Sequence, residues 1–509
     1  MNETIIVLDF GGQYNQHIAR KVRALNVYAE MLPYNSSYER IMSFEPKGII
    51  LTGGAGSILS EKAKLIDKRI YDSGIPILGI CYGMQVIVHQ LGGTVKAGEP
   101  KDYGTENITY KNDLLFENIK SQGECFISYT DKVESLPAGF INTASTDTCL
   151  AAACASEKKK IYGVQFRPEL ESTKQGNDII ANFLYKVCGC RGDYIMSSYV
   201  TEQLEKLRKK IGNKKVLCAM SGGVDSAVCA ALIHKAVGNQ QTCILVDHGL
   251  MRKNEIKEVL EVFRDGLKLN LRMIDASDRF LEKLKDVDDP EKKRKIIGKE
   301  FIDVFAEEAK KIGTVDFLVQ GTIYPDVIES GHDGSENIKS HHNVGGLPDV
   351  IDFKEIIEPV RMLFKDEVRK VGTELGLPDF VVSRQPFPGP GLGVRISGAI
   401  TREKIKIVQE ADHIFREEIA KAGLDKSIWQ YFAALTNLRS VGVKNGKRTF
   451  DYAVALRAVN TIDAMTADWA QIPYDVLAKV SARIVTEVPH VNRVYYDITT
   501  KPPATIELE

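Results

Sequence analysis

The sequence predicts an α/β protein with two helix-wrapped sheets, followed by a smaller α+β domain. Short apolar runs alternate with helical patterns over residues 1–190, and the same alternation starts again at Val216. Parallel strands must be joined by a crossover, usually a helix, so this alternation is typical of a parallel sheet covered by helices. Beyond the Pro and Gly cluster at residues 386–391, the pattern changes to a hairpin and further strands. The chain is therefore expected to contain three domains.

The first domain is predicted at residues 1–190. Its strands are expected at residues 5–9, 48–52, 75–80 and 161–166. A polar, basic helix at 202–210 leads into the second domain, which is predicted at 205–385. Strands are expected there at residues 216–220, 243–247, 271–275 and 317–321. The charged stretch 286–294 is expected to be a solvent-exposed surface segment.

The third domain is predicted at residues 386–509. Residues 440–443 and 448–456 are expected to pair as a hairpin, because the Asn445-Gly446 pair between them suits a type I′ turn. Residues 491–498 and 505–508 are expected to form further strands. This part of the chain is therefore predicted to be a small α+β domain.

Composition narrows the range of partners. The 509 residues are too many for one hydrophobic core, and a net charge of −1 gives no overall attraction to nucleic acid or to an anionic membrane. The start of the chain has no basic n-region, and no apolar run approaches the length that spans a membrane. An odd number of cysteines, nine, favours reduced thiols. A cytoplasmic enzyme is expected.

The most informative segment follows the apolar run at 216–220 and precedes a helical pattern at 227–233. It consists of Ser221, Gly222, Gly223, Val224, Asp225 and Ser226. Glycines let the backbone approach a ligand closely, and amides at a helix N-terminus point at an anion. No Lys follows the second glycine, so the loop is not one that holds a γ-phosphate, and pyrophosphate is the expected occupant. The alternative is a tight turn that needs glycine for packing alone.

A second motif surrounds Cys81, which lies between an apolar run at 77–80 and a helical pattern at 84–90. Flanking Gly79 and Gly83 suit a strained turn that presents the thiol, with backbone amides forming an oxyanion hole. Gly54 and Tyr82 are the candidate residues for that hole and for the substrate site beside it. The alternative is a buried structural cysteine.

Several ordered motifs now resemble known families. Residues 79–83 resemble the nucleophile elbow of class I glutamine amidotransferases, and residues 221–226 resemble the loop of N-type ATP pyrophosphatases. Residues 320–329, 339–348, 389–392 and 501–507 are similar to the GMP synthetase family. The resemblance covers essentially the whole chain. It implies an amidotransferase domain, a doubly wound ATP pyrophosphatase domain and a C-terminal domain that makes a homodimer.

The resemblance implies that XMP becomes GMP through an adenylyl-XMP intermediate, with ATP as co-substrate and ammonia or glutamine as nitrogen donor. Asp225 would share Mg²⁺ with the phosphates, since carboxylate and phosphate oxygens suit this cation. Asp247 would line the adenosine pocket, although a strand-end Asp is equally often a cap. Asp326 and Glu329 would hold metal or activate ammonia, and they could otherwise be ordinary turn residues.

Further residues are assigned by the same resemblance. Lys339, His341 and His342 lie in a Gly-rich segment that suits a lid over the phosphates. Lys501 could otherwise be a plain exposed charge. The implied XMP-binding residues are Gly389, Pro390, Gly391, Arg395, Lys501 and Glu507.

The amidotransferase domain departs from the family pattern. Where the family has Gln-Phe-His-Pro-Glu, residues 165–169 place Arg167 before Pro168 and Glu169. The pKa of arginine stays above about 12, so Arg167 cannot take the thiol proton or return one to ammonia. Tyr129 and Thr130 also replace the His and Gly of a family Ser-His-Gly-Asp motif. An impaired or inactive glutaminase is therefore predicted.

Three functional readings remain from the sequence. The first is an ordinary glutamine-dependent enzyme that tolerates Arg167. The second is an ammonia-dependent ligase, acting on XMP or a related purine nucleotide, whose N-terminal domain is a scaffold. The third is a non-catalytic purine-nucleotide sensor, against which the intact pyrophosphate loop argues.

Overall fold

The computed structural model describes residues 2–98, 103–129, 131–329, 353–444, 446–461 and 465–509. The chain divides into two compact units. The N-terminal unit is built on Met1–Tyr199 together with the described residues 327–329, and the C-terminal unit on Val200–Asp326 and the described residues from 353 to 509. The helix Met196–Ile211 crosses the division and confirms the basic helix predicted at 202–210. It begins earlier than predicted because Val200 and Leu204 continue its buried face.

The N-terminal unit is centred on a sheet of nine strands within the described residues. Their spatial order is Tyr28–Pro33, Thr4–Phe10, Gly48–Gly54, Ile77–Ile80, Ile161–Val164, Ala153–Ser156, Ile141–Thr146, Tyr103–Tyr110 and Gln122–Ser128. The first five are parallel, and the remaining pairs are antiparallel. The four predicted strands are therefore confirmed, in one parallel block. The antiparallel extension was not predicted.

Helices cover this sheet, and a small ribbon pairs Thr94–Ala97 with Asp131–Ser135. The helices are Asn15–Ala24, Tyr38–Met42, Tyr82–Gln90 and Gly176–Asn182, the last continuing as a π-helical turn at Phe183–Val187. The strand Ile77–Ile80 and the first two turns of Tyr82–Gln90 are wholly buried, so the turn between them is fixed from both sides.

The C-terminal unit contains a five-stranded parallel sheet. Its spatial order is Leu271–Asp275, Gln241–Asp247, Val216–Met220, Phe317–Val319 and Glu355–Ile357. In chain order these strands read 3-2-1-4-5, so the direction of winding reverses between Val216–Met220 and Phe317–Val319. Ligands of doubly wound sheets bind at this reversal, beyond the carboxyl ends of the strands. The predicted doubly wound fold is confirmed.

A second sheet pairs the long hairpin Gln430–Lys444 and Lys447–Asn460 with Asp468–Trp469 and Val491–Asp497. The helices of this unit are Val224–Val237, Glu255–Val259, Ser277–Lys283, Pro290–Ile312, Lys365–Glu374, Asp379–Val382, Arg402–Lys421 and Tyr474–Glu487. The short helix Tyr324–Glu329 begins in this unit, and its residues 327–329 are grouped with the N-terminal unit. Side chains from both sheets meet in one core, in which Leu217 and Ile244 join Leu435 and Val454. The predicted domains 205–385 and 386–509 thus share a hydrophobic core.

Two local expectations were wrong. Residues 505–508 form no strand; the Arg457 side chain instead donates to the carbonyl oxygens of Thr505 and Ile506, at 2.8 and 2.9 Å. The stretch 286–294 is not uniformly solvent-exposed, because Lys293 is completely buried on the helix Pro290–Ile312. Among the residues described, no helix combines the length and the apolar character that crossing a bilayer requires.

Candidate active sites

Cys81 occupies a strained turn. Its φ of 54° and ψ of −108° place a non-glycine residue in a conformation that costs energy, and its amide donates to the carbonyl oxygen of Val164 at 2.7 Å. A Cβ at Gly83 would lie 2.2 Å from the carbonyl oxygen of Leu51, and one at Gly79 would lie 2.6 Å from Ile87. Both glycines are therefore required for the turn to pack.

The Arg167 guanidinium fills the space beside Cys81. Its Nη2 donates to the carbonyl oxygen of Ser128 at 3.4 Å, and the Cys81 thiol donates to the same oxygen at 3.4 Å. A Cβ at Gly53 would lie 2.0 Å from Arg167 Nη1, so the guanidinium lies directly against the Gly53 backbone. It thus occupies the side of the site where Gly54 was expected to help bind an oxyanion.

Electrostatics around Cys81 disfavour the thiolate form. Burial raises the pKa of Cys81, the positive charge of Arg167 opposes that rise, and the Glu169 carboxylate adds to it. For Arg167, burial is the largest influence and lowers the pKa, but the interactions with Cys81 and Glu169 outweigh it and the pKa is raised. The guanidinium therefore stays protonated, and the thiol stays neutral at physiological pH.

The ion pair between Arg167 and Glu169 satisfies only part of the hydrogen-bonding capacity of the two side chains. Arg167 Nη1 lies 3.4 Å from Glu169 Oε1, and both side chains are buried. Arg167 Nε and Glu169 Oε2 have no hydrogen-bond partner within the described part of the chain. Burial raises the pKa of Glu169, and the nearby Arg167 charge opposes this. Buried polar atoms without partners are costly, so neither group is optimally placed.

The segment predicted to contact glutamine is tied into the surrounding structure. Asp131 accepts from Ser57 Oγ at 2.6 Å and from the Ile58 amide at 2.7 Å. The Tyr129 hydroxyl lies 3.3 Å from Thr148 Oγ1. Thr130 lies outside the described residues. The phenol of Tyr82 accepts from the Lys64 amide at 2.9 Å, and its ring would be 3.0 Å from a Cβ at Gly54.

In the C-terminal unit, the loop after Val216–Met220 has converging donors. Gly222 has a φ of +78°, which favours glycine. The hydroxyls of Ser221 and Ser226 lie 3.1 Å apart, and the amide of Gly223 donates to Ser221 Oγ at 3.4 Å. The helix Val224–Val237 begins immediately afterwards. Hydroxyls and amides therefore meet at a helix N-terminus, as an anion site requires.

Asp225 lies at the winding reversal of the sheet. Its Oδ2 accepts from Lys365 Nζ at 2.5 Å, and its Oδ1 is buried without a partner among the described residues. A Cβ at Gly321 would be 3.3 Å from that of Asp225, which shows how closely the two loops approach. Sequence reasoning missed Lys365, because nothing in its local sequence distinguishes it from an ordinary first residue of a helix.

The donor set of this site fits a cation that is held mainly by phosphates. Nowhere in the described ranges do three or more His, Cys, Asp or Glu side chains gather as a metal site. Asp225 Oδ1 offers one carboxylate oxygen, and Mg²⁺ commonly takes one or two carboxylates with substrate phosphates and water. The residues present therefore fit the predicted Mg²⁺ only together with a nucleotide.

Two other predicted residues of this region, Asp247 and Asp326, accept hydrogen bonds from nearby backbone amides. Asp247 Oδ1 accepts from the Gly249 amide at 2.8 Å, and burial raises the pKa of this carboxyl. Asp326 Oδ2 accepts from the Ile323 amide at 3.0 Å on the short helix that also contains Glu329. Both interactions are of the capping type that the sequence left open. The predicted lid residues Lys339, His341 and His342 lie outside the described residues.

The turn at Gly391–Arg395 packs closely on the loop that follows the strand Gln241–Asp247. Gly391 has a φ of +60°, and a Cβ there would lie 2.4 Å from the carbonyl oxygen of Leu250. By contrast, Gly389 faces open space, and the adjacent Pro390 precedes the turn. Lys501 pairs through its backbone with Ala467.

Arg395 is completely buried and holds Glu507. Its Nε and Nη2 donate to the two carboxylate oxygens of Glu507 at 2.8 and 2.9 Å, and Gln430 Nε2 donates to the same carboxylate at 2.8 Å. The guanidinium lies 4.0 Å from the ring centre of Phe432. Two of the donors expected to hold phosphate are thus used for Glu507, whereas Nη1 has no hydrogen-bond partner among the described residues.

Arg252 is a second residue that sequence reasoning missed. It is buried, stacks 4.2 Å from the ring centre of Phe387, and its Nε and Nη1 lack hydrogen-bond partners within the described ranges. Burial, with Arg416 and Arg395 nearby, lowers its pKa, and Asp412, 3.9 Å away, opposes this. The available signal was its place just after the motif that starts at Asp247.

Comparisons with known protein families match this chain in three separate segments. A model described as glutamine amidotransferase class-I matches residues 6–187. A model described as NAD synthase matches residues 196–297, and one described as GMP synthase C terminal domain matches residues 417–508. Cys81, Asp225 and Glu507 fall within the matched segments, whereas Asp326, Lys365 and Arg395 lie between the second and the third.

Three curated relatives, each named GMP synthase (glutamine-hydrolyzing), align along the full length of this chain and of their own. The protein of Acetivibrio thermocellus is 64% identical over 509 residues, with 100% of both chains covered. Those of Ruminiclostridium cellulolyticum and Caldicellulosiruptor saccharolyticus are each 58% identical, also with 100% of both chains covered.

Proposed function

Because the chain belongs to the family of glutamine-hydrolyzing GMP synthases, we propose that it is an ATP-dependent ligase that aminates XMP to GMP and uses ammonia better than glutamine. The amination would occur in the C-terminal unit. The observation that carries the nitrogen preference is the Arg167 guanidinium, packed against Gly53 and sharing an acceptor with Cys81.

In the first step, the O2 oxygen of XMP attacks the α-phosphorus of ATP and pyrophosphate leaves. The Ser221 and Ser226 hydroxyls and the amides at the start of Val224–Val237 would bind the departing pyrophosphate. Mg²⁺, when bound, neutralises phosphate charge, and Asp225 would be its protein ligand. Lys365 would exchange its contact with Asp225 for one with a phosphate oxygen. Its positive charge would then stabilise the negative charge that develops on the leaving pyrophosphate.

In the second step, ammonia attacks C2 of adenylyl-XMP, a C–N bond forms, and the C–O bond to AMP breaks. The nitrogen must lose a proton, and Asp326 or Glu329 would accept it. Asp247 would line the adenosine pocket, because it lies at the carboxyl end of the strand that pairs with Val216–Met220, one strand from the winding reversal. Lys339, His341 and His342 would close over the phosphates.

XMP would bind between the 389–391 turn and the C-terminal tail. Arg252 supports this placement, because its Nε and Nη1 are buried beside Phe387 without hydrogen-bond partners among the described residues and could donate to a phosphate. Lys501 would add a second cation for the phosphate. Glu507 would accept from purine N–H groups through its remaining lone pairs, with Arg395 holding the carboxylate in position.

A comparison of glutamine with ammonium as nitrogen donor distinguishes this proposal from an ordinary glutamine-dependent enzyme. Formation of AMP and GMP from XMP and ATP is measured with glutamine or ammonium as the sole donor. Ammonium should support turnover, and glutamine should support little or none. Glutamine-dependent turnover equal to that with ammonium, and abolished by Cys81→Ala, would show an ordinary glutamine-dependent enzyme. No turnover with either donor would reject amination of XMP and return the alternatives of a related nucleotide substrate or a sensor, which the relatives do not favour.

We also propose a homodimer formed through the C-terminal hairpin. Val441 and Phe450 are paired across the hairpin and are 48% and 61% exposed, and the neighbouring Val443 is 75% exposed. Exposed apolar side chains grouped in this way are typical of an interface. Truncation at residue 386 would disrupt the shared core, so a point substitution is the better test.

Sedimentation velocity of Phe450→Glu should show a monomer where the unmodified protein shows a dimer. Phe380→Glu is the matched control, because Phe380 is 55% exposed but lies on the helix Asp379–Val382, away from the hairpin. A dimer that survives Phe450→Glu at low protein concentration would place the interface elsewhere.

A further inference from the structure

The last residue of the chain is bound to two other segments of the C-terminal unit. The Glu509 side chain forms an ion pair with Lys293 and accepts from the Gly398 amide at 3.3 Å. Its backbone amide donates to the carbonyl oxygen of Val394 at 3.1 Å, and its carbonyl oxygen accepts from Arg294 Nη2 at 2.5 Å. The tail therefore ends in a set of specific polar contacts.

Lys293 is unusual because its side chain is completely buried. Lysine is almost never fully buried unless it is paired, and the carboxylate that pairs with it here belongs to Glu509, 216 positions away in sequence. Its Nζ also donates to the carbonyl oxygen of Ile396 at 2.7 Å. A single ammonium group thus joins the segment after Arg395 to the segment after Glu507.

Both joined segments contain residues of the proposed XMP site. Arg395 and Glu507 form two hydrogen bonds with each other. Lys293 binds Ile396, the residue after Arg395, and Glu509, two residues after Glu507. The tail between Lys501 and Glu509 has no regular strand to fix its position. Arg457 holds the carbonyl oxygens of Thr505 and Ile506, so the contacts of Arg395 and Lys293 are the ones that fix the tail from Glu507 to its end.

We propose that Lys293 is a positioning residue for XMP: through Glu509 and the Ile396 carbonyl it holds the C-terminal tail against the Gly391–Arg395 turn. It touches neither substrate in this role. Loss of the contact loosens the end of the tail, where Glu507 lies, and XMP binding weakens while the pyrophosphate loop is unaffected. The effect on XMP rests on the proposed function, whereas the effect on the tail does not.

Two variants and one control test the role. Glu509→Gln keeps the size of the side chain and removes its charge, and Lys293→Met removes the ammonium group. Lys295→Met is the matched control, because Lys295 lies on the same helix and is 74% exposed. If Lys293→Met fails to fold, Glu509→Gln alone carries the test, since Glu509 lies at the end of the chain.

The first measurement needs no substrate. Hydrogen exchange of peptides covering residues 504–509 should be at least about 10-fold faster in Glu509→Gln and unchanged in Lys295→Met, because the tail opens locally once its anchor is lost. Unchanged exchange in Glu509→Gln would overturn the proposed contact, whatever the protein's activity proves to be.

The second measurement is the split between KM and kcat for the ammonium-dependent reaction. The KM for XMP should rise roughly 10-fold to 100-fold in Glu509→Gln, the size expected when a substrate-positioning group is displaced, while the KM for ATP changes little. Glu509→Asp should recover part of the XMP affinity. Equal increases in both KM values would indicate general loosening of the unit and would overturn the specific role. If the unmodified protein does not act on XMP, the proposed function fails, and the exchange result still decides whether the anchor exists.

Discussion

Cys81 and Arg167 both donate a hydrogen bond to one acceptor, the carbonyl oxygen of Ser128, each at 3.4 Å. A cysteine nucleophile is activated by a neighbour that accepts its proton or by a charge that lowers its pKa. Here the neighbour is itself a donor that competes for the same oxygen. Within the described part of the amidotransferase site, the residue that shares this oxygen with Cys81 is thus a donor, and its Nη1 lies 3.4 Å from the buried carboxylate of Glu169.

Arg167→His should restore part of the glutaminase activity. The imidazole can accept the thiol proton and be oriented by Glu169, and a general acid–base group typically contributes roughly 10²- to 10⁴-fold. Glutamate release in the presence of XMP and ATP measures the gain. Ammonium-dependent GMP synthesis should not change.

Arg167→Lys is the control, because lysine keeps the positive charge but is not a base near neutral pH. It should restore no glutaminase activity. Cys81→Ala in the Arg167→His background should abolish whatever activity returns. Recovery in Arg167→Lys equal to that in Arg167→His would show that proton transfer is not the defect. Tyr129 limits the recovery if its side chain narrows the glutamine pocket.

The thiol of Cys81 should react slowly with iodoacetamide at neutral pH, because burial raises its pKa and the thiolate is the reactive form. The alkylation rate of the peptide containing Cys81 should rise continuously with pH, without a plateau near pH 7. Mass spectrometry of a time course between pH 6.5 and 9.5 measures this. A rate that is already maximal at pH 7 would show that Arg167 stabilises a thiolate.

The sequence predicted the local elements of both sites well and their partners poorly. The turn at Cys81 and the loop at 221–226 were predictable because strand, glycines and helix follow one another directly in sequence. Lys365 lies 140 positions from Asp225, and Arg252 lies 160 positions from Asp412, so only the fold brings them together. The burial of Lys293 was missed for the same reason, since its counter-ion lies at the other end of the unit.

Lys365→Met should slow adenylylation by roughly 10²-fold or more, the typical effect of removing a charge that stabilises a transition state. Asp225→Asn should slow the same step, because it removes the proposed Mg²⁺ ligand. Pyrophosphate release from XMP and ATP in a single turnover without a nitrogen donor measures it.

Lys354→Met is the control for this pair, because Lys354 is exposed and pairs with Asp316 on the surface. It should release pyrophosphate at the unmodified rate. Wild-type release by Asp225→Asn would remove this carboxylate from the mechanism, and wild-type release by Lys365→Met would make its contact with Asp225 purely structural.

Stability of the C-terminal unit should fall between about pH 6.5 and pH 4 because of His248. This side chain is buried, and its Nδ1 accepts from the Leu250 amide at 3.0 Å. Burial lowers its pKa from 6.5 to about 4, so in this range the unfolded state binds a proton that the folded state does not. The stabilising contribution is complete above the unfolded pKa and is lost as pH falls towards the folded one, with an upper bound of about 3 kcal/mol.

Urea unfolding at a series of pH values, followed by tryptophan fluorescence, isolates this effect, because both tryptophans, Trp429 and Trp469, lie in the C-terminal unit. His248→Asn keeps an acceptor for the Leu250 amide but cannot be protonated, so its free energy of unfolding should fall less steeply from pH 6.5 to pH 4 than that of the unmodified protein. The exposed His413 provides the matched control in His413→Asn, which should keep the unmodified slope. If His248→Asn and the unmodified protein lose stability in parallel over this range, His248 is not the group that titrates.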